Sequence, residues 1–202
     1  MSEILIITNR TLCRDDFFAR LEQLAKAQPK AIVLREKDLS EQEYMALAKE
    51  VIEICEAHGT TCILHSFVQA AKALQHDAMH LPLPVLRTLT AEDRKRFSIL
   101  GASCHSTEDA KEAERLGCTY ITAGHVFDTD CKKGLPGRGL GFLRNVCRSV
   151  SIPVYAIGGI TPENTADVLH AGAKGICVMS GAMTCAEPST YLAAFEEKKH
   201  EV

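Results

Sequence analysis

The segment at residues 124–139, GHVFDTDCKKGLPGRG, holds the densest set of chemically active side chains in the sequence. Its histidine, His125, is a candidate for proton transfer, because an unperturbed imidazole titrates near pH ~6.5 and can act as acid or base at neutral pH. A nucleophilic pair of Cys131 with His125 is the weaker hypothesis, since nothing in the sequence indicates a lowered thiol pKa. The segment therefore predicts an acid–base residue rather than a covalent nucleophile.

The same segment suggests two binding hypotheses, a metal ion and a nucleotide. Asp128 and Asp130 offer oxygen ligands, but Lys132 and Lys133 stand beside them and would repel a cation. The glycines do not form the G-x-G-x-x-G pattern, and the segment is not the first strand-to-helix turn. We therefore expect neither a metal ligand nor a dinucleotide site here.

Two further stretches could bind an anion or a polar ligand. In LREKD, Arg35 and Lys37 alternate, so both side chains can leave a strand end on one face and bind a carboxylate or phosphate. The alternative is a solvated charge run balanced by Glu36 and Asp38, and the spacing alone does not decide between the two. Ser103, in GASCHS, ends another apolar run and is a candidate contact to a ligand.

Glycine-rich stretches late in the chain mark a candidate phosphate site. Gly158 and Gly159 in IGGITPEN allow backbone amides to approach a ligand closely, and the start of the next helix adds a positive dipole. Met179, Ser180 and Gly181 in MSGAM follow the last apolar run in the same way. In barrels these two loops commonly bind phosphate. The other interpretation is that the glycine pair only makes a tight turn.

These residues follow short apolar runs, which we predict to be β-strands with helices between them. Residues 40–59 show the clearest helix signals, with Ser40 and Glu43 in capping-box spacing and Gly59 at the end. Alternation of strands and helices indicates parallel βαβ units. The sequence thus predicts an α/β fold, a single-domain (β/α)8 barrel over residues 1–202, with an open doubly wound sheet as the alternative. The predicted strands are residues 3–8, 31–35, 61–64, 78–81, 98–103, 120–124, 153–158 and 175–179.

The composition excludes several function classes. The formal net charge is -3, from 23 Lys and Arg against 26 Asp and Glu, so no broad basic surface is available for nucleic acid or an anionic membrane. No apolar run approaches membrane-spanning length, and the first residues do not resemble a signal peptide. Nine cysteines without a C-x-x-C pair indicate a reduced protein without a disulfide framework. We expect a cytoplasmic location and neither nucleic-acid nor membrane partners.

As a set, the motifs resemble the superfamily of thiamin phosphate synthases and thiazole tautomerases (TenI-type). The resemblance extends from residue 4 to about residue 190 and implies a barrel fold. Dimers are common in that superfamily, so the resemblance also implies a homodimer. The motifs that carry it are IITNR, LREKDLS, GASCHSTEDA, YITAGHVFDTDCKKGLPGRGL, IPVYAIGGITPEN and AGAKGICVMSGAM.

The two branches of the superfamily differ in their acidic residues. Synthases carry an Asn-Asp pair after the third strand and an Asp after the fourth, which hold the magnesium that activates a pyrimidine diphosphate. This sequence has ILHSFVQAA and HLPLPVL there, with no carboxylate and therefore little to hold Mg²⁺. Tautomerases typically show Gly-His-Val-Phe followed by Thr-Asp-Cys-Lys-Lys-Gly, and this sequence has GHVFDTDCKKG, with His125 where synthases usually have proline.

The resemblance therefore implies a cofactor-independent isomerase of thiamin biosynthesis, which aromatises a carboxythiazole phosphate by moving a proton through His125. Its partner would be a small-molecule thiazole phosphate, whose phosphate would bind to the glycine-rich loops. Two alternatives stay open, a Mg²⁺-dependent thiamin phosphate synthase and a non-catalytic phosphate-binding or regulatory paralogue. The implied substrate contacts are Arg35, Lys37, Ser103, Thr129 and Lys133.

Overall fold

The structure, a computed structural model, describes residues 3–132 and 134–197, without the side chain of Cys131. Within these residues eight parallel strands close into a barrel, since β1 pairs with β8 as well as with β2. This closure confirms the (β/α)8 prediction and excludes the open doubly wound sheet. The strands are β1 (Ile4–Ile7), β2 (Ala31–Leu34), β3 (Thr61–His65), β4 (Ala78–Pro82), β5 (Ile99–Cys104), β6 (Tyr120–Gly124), β7 (Val154–Ile157) and β8 (Gly175–Val178).

Helices follow the strands and cover the outside of the barrel. The capping box predicted for the second helix is present, because the Glu43 amide donates to Ser40 Oγ and the Ser40 amide donates to Glu43 Oε2. Short 3₁₀ turns occupy Arg10–Leu12 and Asp130–Lys132. The helices are α1 (Phe17–Lys26), α2 (Glu41–Ala57), α3 (Val68–Ala73), α4 (Leu83–Thr88), α5 (Ala91–Lys95), α6 (Thr107–Arg115), α7 (Gly139–Ser149), α8 (Pro162–His170), α9 (Ser180–Thr184) and α10 (Pro188–Glu197).

The alternation of side chains along each strand divides the core into two layers. One set of strand residues packs outward against the helices, such as Ile4 and Ile6 of β1, both fully buried. The other set fills the barrel interior. Each such aliphatic side chain contributes roughly 1.5–3 kcal/mol on full burial. The apolar residues of the inner layer are Leu5, Ile7, Ala31, Val33, Ile63, Ala78, Tyr120, Tyr155 and Cys177.

Strand register brings polar side chains of β3 to β6 to one level of the interior. His65 of β3 pairs with His80 of β4, and His80 in turn pairs with Gly101 of β5. Gly101 pairs with Tyr120 of β6. Ser103 lies two residues further along β5, towards the end of the barrel at which the strands finish. The barrel therefore carries a polar layer just below that end.

No helix among the described residues is long and apolar enough to cross a membrane. The cytoplasmic location and the homodimer stay predictions.

Candidate functional site

A cavity of about 1090 Å³ opens at the carboxyl ends of the strands. Barrel enzymes carry their chemistry at this end, in the loops that follow the strands. One predicted contact, Lys133, lies outside the described residues. The fold brings the other predicted residues together at the carboxyl ends of five strands, β2, β5, β6, β7 and β8. The cavity walls include Arg35, Lys37, Ser103, His125, Thr129, Gly158, Gly159, Met179, Ser180 and Gly181.

Alternate residues of the segment after β2 have different partners. Arg35 and Lys37 line the cavity. The acids beside them bind Arg10 instead: Asp38 accepts from both terminal nitrogens at 2.6 and 2.7 Å, and Glu36 lies 3.3 Å from one of them. Glu36 is also buried. The acids therefore pair with Arg10 rather than with Arg35 and Lys37, while Lys37 and Asp38 are both exposed.

Lys132, at the end of a 3₁₀ turn, lines the same cavity as Arg35 and Lys37. We refer to these three residues as the cation cluster. Burial lowers the pKa of Lys37, and the positive charges of Arg35 and Lys132 lower it further. None of the ion pairs found among the described residues includes a member of the cluster. Like charges that are held together and form no ion pairs attract an anionic ligand.

The loops after β7 and β8 contribute backbone amides to the cavity. Gly158 and Gly159 have φ values of +101° and +65°, a region that side chains other than glycine rarely adopt. A Cβ on Gly158 would lie 2.7 Å from Cα of His125. The amide of Gly159 has no backbone acceptor among the described residues, and the first amides of α9, at Ser180 and Gly181, have none inside the helix. We refer to these three amides as the glycine cradle, which can bind a phosphate.

Tyr191 of α10 also reaches the cavity, next to the glycine cradle. A Cβ on Gly181 would lie 2.7 Å from Cζ of Tyr191, so the glycine makes room for the ring. Burial raises the pKa of Tyr191 to about 12, and its hydroxyl therefore keeps its proton at neutral pH. No sequence pattern identifies this residue, because it lies on a helix far from any strand end.

Two stacked histidines stand at the level of the polar layer. The ring of His65 lines the cavity and stacks on that of His80, with centroids 5.6 Å apart. Burial lowers the pKa of His65 to about 2, with smaller contributions from the His80, Arg35 and Lys37 charges. Burial alone lowers the pKa of His80 to about 3. Both imidazoles are therefore neutral in the folded protein at neutral pH.

Acid should destabilise the protein partly through His65. Its folded-state pKa of about 2 lies below the unfolded value near ~6.5, so the unfolded chain binds more protons below that pH. The free energy of unfolding therefore falls as the pH falls from 7 towards 4. We expect His65→Asn to make this slope shallower by up to about 1.4 kcal/mol per pH unit, measured by urea denaturation at each pH. His170→Asn, at an exposed position, is the control and should leave the slope unchanged. An unchanged slope in His65→Asn would contradict the conclusion that His65 is a buried neutral imidazole.

His125 directly follows β6 and belongs to a folded loop. Its Nε2 lies 3.2 Å from the carbonyl oxygen of Leu135, and its own carbonyl accepts from the Arg138 amide at 3.0 Å. Asp128 Oδ1 accepts from the Gly137 amide at 2.6 Å. The loop therefore holds the imidazole at the cavity wall and uses the Asp128 carboxylate as an internal contact.

The residues of the cavity do not fit magnesium, which prefers oxygen ligands that include carboxylates. Ser66 and Phe67 follow β3 and Leu83 follows β4, where the resemblance places the acidic ligands of synthases. The acids on the described cavity walls are Asp128 and Asp130, in the same cavity as the cation cluster. Within residues 3–132 and 134–197, no group of three His, Cys, Asp or Glu side chains could hold a metal.

The motif positions and the barrel agree with comparisons to known proteins. The pattern described as thiamine monophosphate synthase matches residues 4–182. The chain belongs to the thiamine monophosphate synthase family. It is 32% identical over 188 residues to the thiamine-phosphate synthase of Clostridium acetobutylicum, covering 90% of this chain and 87% of that protein.

Two further members of the thiamine monophosphate synthase family are similar to it. The thiamine-phosphate synthase of Moorella thermoacetica is 37% identical over 164 residues, covering 78% of this chain and 76% of that protein. The solved structure of thiamine phosphate pyrophosphorylase from Pyrococcus furiosus superposes with a TM-score of 0.82 at 30% identity, covering 98% of this chain and 96% of that one.

These relatives correct the predicted activity. They are named as synthases or as a pyrophosphorylase, so the prediction of a thiazole tautomerase, an isomerase, is wrong, and the findings support the alternative of a thiamine-phosphate synthase, a transferase. The prediction relied on the missing carboxylates after β3 and β4 and on the GHVFDTDCKKG motif, with His125 as the decisive residue. The role of His125 as proton carrier belonged to that isomerisation, so the residue keeps only its position at the cavity wall.

The sequence alone does not show how Lys132, His65 and His80 contribute to the site. Lys132 was treated only as a charge that repels metals, although it completes the cation cluster. His80 lies inside the apolar run at 78–81 and His65 directly follows the run at 61–64, and these polar residues in an apolar pattern were the available signal. Their side chains meet only because the barrel register pairs them.

Proposed function

We propose that the chain is a transferase of the thiamine-phosphate synthase type, which joins a thiazole phosphate to a pyrimidine diphosphate and releases pyrophosphate. Membership of the family and the names of its relatives support this reaction class. The observation that carries the proposal is that one cavity holds two sets of anion-binding groups, the cation cluster and the glycine cradle. A reaction between a monophosphate and a diphosphate needs both sets.

The cation cluster is suited to the diphosphate. When the bond between the pyrimidine methylene carbon and the diphosphate oxygen breaks, negative charge develops on the leaving pyrophosphate, and fixed cations stabilise that charge. Arg35 can donate two parallel hydrogen bonds, while Lys37 and Lys132 add point charges. The cluster supplies the neutralisation that a metal would provide elsewhere, since no group of three ligand side chains among the described residues could hold one.

The glycine cradle is suited to the monophosphate of the thiazole. Its three amides, which have no backbone acceptor among the described residues, can donate to the phosphate oxygens, and the Tyr191 hydroxyl stands beside them. We propose Ser103, Thr129 and His125 as contacts to the two rings, because they line the cavity with the cation cluster and the cradle. Lys133 is a proposed contact on its sequence position alone.

A transfer assay tests the proposed function. Purified protein is mixed with the thiazole phosphate and the pyrimidine diphosphate, and thiamine phosphate and pyrophosphate are measured together. We expect equal amounts of the two products, at a rate that a chelator does not change, because the cavity does not fit magnesium. Activity that requires added Mg²⁺ would retain the transferase and contradict the role of the cation cluster. No product with or without Mg²⁺ would contradict the transferase.

A second candidate function is a phosphate-binding paralogue without catalysis. The absence of carboxylates after β3 and β4 favours it, because these positions hold the metal ligands in the synthase branch that the sequence resembles. Such a protein would bind the thiazole phosphate in a calorimetric titration and form no thiamine phosphate in the transfer assay. The two measurements together distinguish the candidates.

A further inference from the structure

Three polar side chains form a continuous hydrogen-bonded chain from the barrel interior to the cavity. The Tyr120 hydroxyl lies 2.9 Å from Nδ1 of His80, and Nε2 of His80 lies 2.9 Å from Oγ of Ser103. Tyr120 and His80 are buried, whereas Ser103 lines the cavity. The chain thus links an interior tyrosine to a cavity residue through one imidazole.

The absence of a side chain at Gly101 leaves the space in which His80 and Tyr120 meet. Gly101 lies between His80 and Tyr120 in the strand register. A Cβ on Gly101 would lie 2.6 Å from Nδ1 of His80 and would overlap the Tyr120 ring. The absence of a side chain at this position is therefore what allows the hydroxyl and the imidazole to meet.

The position of each proton follows from hydrogen-bond accounting. The only partner of the Tyr120 hydroxyl among the described residues is Nδ1 of His80, and buried hydroxyl groups are almost always paired. Burial raises the pKa of Tyr120 and lowers that of His80 to about 3, so the phenol stays protonated and the imidazole stays neutral. Tyr120 therefore donates to Nδ1, and the single imidazole proton lies on Nε2. His80 Nε2 in turn donates to Ser103 Oγ.

This direction of donation affects Ser103. Its oxygen already accepts from His80, and the described residues provide no other hydrogen-bond partner for it. Its own proton cannot point at a nitrogen that is itself a donor. The hydroxyl proton is therefore directed into the cavity, towards the place of a ligand.

We propose that Tyr120 and His80 are positioning residues, which fix the proton of Ser103 so that this hydroxyl donates a hydrogen bond to an acceptor atom of the bound substrate. The identity of that substrate rests on the proposed transferase function. The hydrogen-bond direction in the free protein does not depend on it.

The first test measures the histidine tautomer in the free protein. Protein labelled with ¹⁵N-histidine is recorded in two-bond ¹H–¹⁵N correlation spectra at neutral pH, and the His80 signals are assigned with His80→Gln. We expect the neutral form with its proton on Nε2. We expect Tyr120→Phe to lose the strict preference, because Nδ1 then has no donor. A proton on Nδ1 in the wild-type protein would overturn the proposal without any variant.

Tyr155→Phe is the matched control for this measurement. Tyr155 packs edge-on against Tyr120 at 5.8 Å, and its hydroxyl donates to Glu3 rather than to His80. Tyr155→Phe therefore removes a phenolic hydroxyl from the same barrel interior without removing the proposed donor, Tyr120. An equal change of the His80 tautomer in Tyr120→Phe and Tyr155→Phe would show that general repacking causes it, and would contradict the proposal.

The second test measures ligand binding with inorganic pyrophosphate and with the thiazole phosphate as separate probes. Ser103→Ala is expected to weaken at least one of them by roughly 3–10-fold, the usual effect of one lost neutral hydrogen bond. Tyr120→Phe should weaken the same probe, and the double variant should weaken it no further than Ser103→Ala. Additive losses, or unchanged binding of both probes in Ser103→Ala, would refute the positioning role. Neither result depends on transfer activity.

Discussion

Replacing Arg35 by alanine is expected to lower kcat/KM for the proposed transfer by about 10²–10³-fold, the usual range for removal of one group that stabilises transition-state charge. Arg35 lines the cavity in the cation cluster, and the acids next to it in the sequence bind Arg10 instead. Its loss therefore removes a positive charge that forms no ion pair among the described residues. We expect kcat to carry most of the effect, because the charge on pyrophosphate grows as the bond breaks.

Binding of inorganic pyrophosphate, measured by calorimetry, separates this effect from catalysis. Arg35→Ala should weaken it by at least about 10-fold, and affinity of the wild-type protein should fall with rising salt because charge attraction is screened. The pyrophosphate affinity of Arg35→Lys should lie between those of the wild type and Arg35→Ala, since lysine keeps the charge and loses the planar fork. Arg144→Ala is the control, as Arg144 is an exposed residue of α7. Wild-type affinity in Arg35→Ala would remove the cation cluster from the mechanism.

The fold could be predicted because its determinants are local and repeat along the chain. Apolar runs alternate with helical patterns, and caps such as Ser40 with Glu43 mark the helix starts. The alternation also predicts that residues in the loops after the strands lie close together, since parallel strands in a barrel all end at one face. Arg35 and Gly159 are more than a hundred residues apart in the chain and line one cavity for this reason.

The polar layer and the reaction could not be predicted in this way. The contact between His80 and Tyr120 depends on strand register and on the empty space at Gly101, which the chain alone does not specify. Tyr191 lies on α10 and reaches the cavity only because of how this helix packs on the barrel. The prediction of the reaction class was wrong for another reason. A histidine at a strand end is compatible with isomerisation and with transfer, so His125 alone did not distinguish the two reactions.

Replacing Gly158 by alanine is expected to destabilise the protein by about 1–3 kcal/mol, the usual cost of strained or overpacked backbone. With φ of +101°, Gly158 has a conformation that alanine adopts poorly, and the new Cβ would lie 2.7 Å from Cα of His125 and 3.2 Å from the Val126 nitrogen. Backbone atoms cannot turn away as a flexible side chain can. The loop after β7 must therefore shift, and its amides move out of register with a phosphate.

Thermal unfolding and phosphate binding should respond together in Gly158→Ala, because one backbone shift causes both. We expect Tm to fall by about 2–4 °C for each kcal/mol lost, and affinity for inorganic phosphate to fall by at least about 10-fold. Gly141→Ala is the matched control: it lies in α7, its new Cβ would meet nothing within 4 Å, and alanine favours helix by about 0.5–1 kcal/mol. The same substitution should therefore raise Tm slightly and leave phosphate binding unchanged. If Gly158→Ala lost stability but bound phosphate as the wild type does, the loop after β7 would be a structural turn and the glycine cradle would not be the phosphate site.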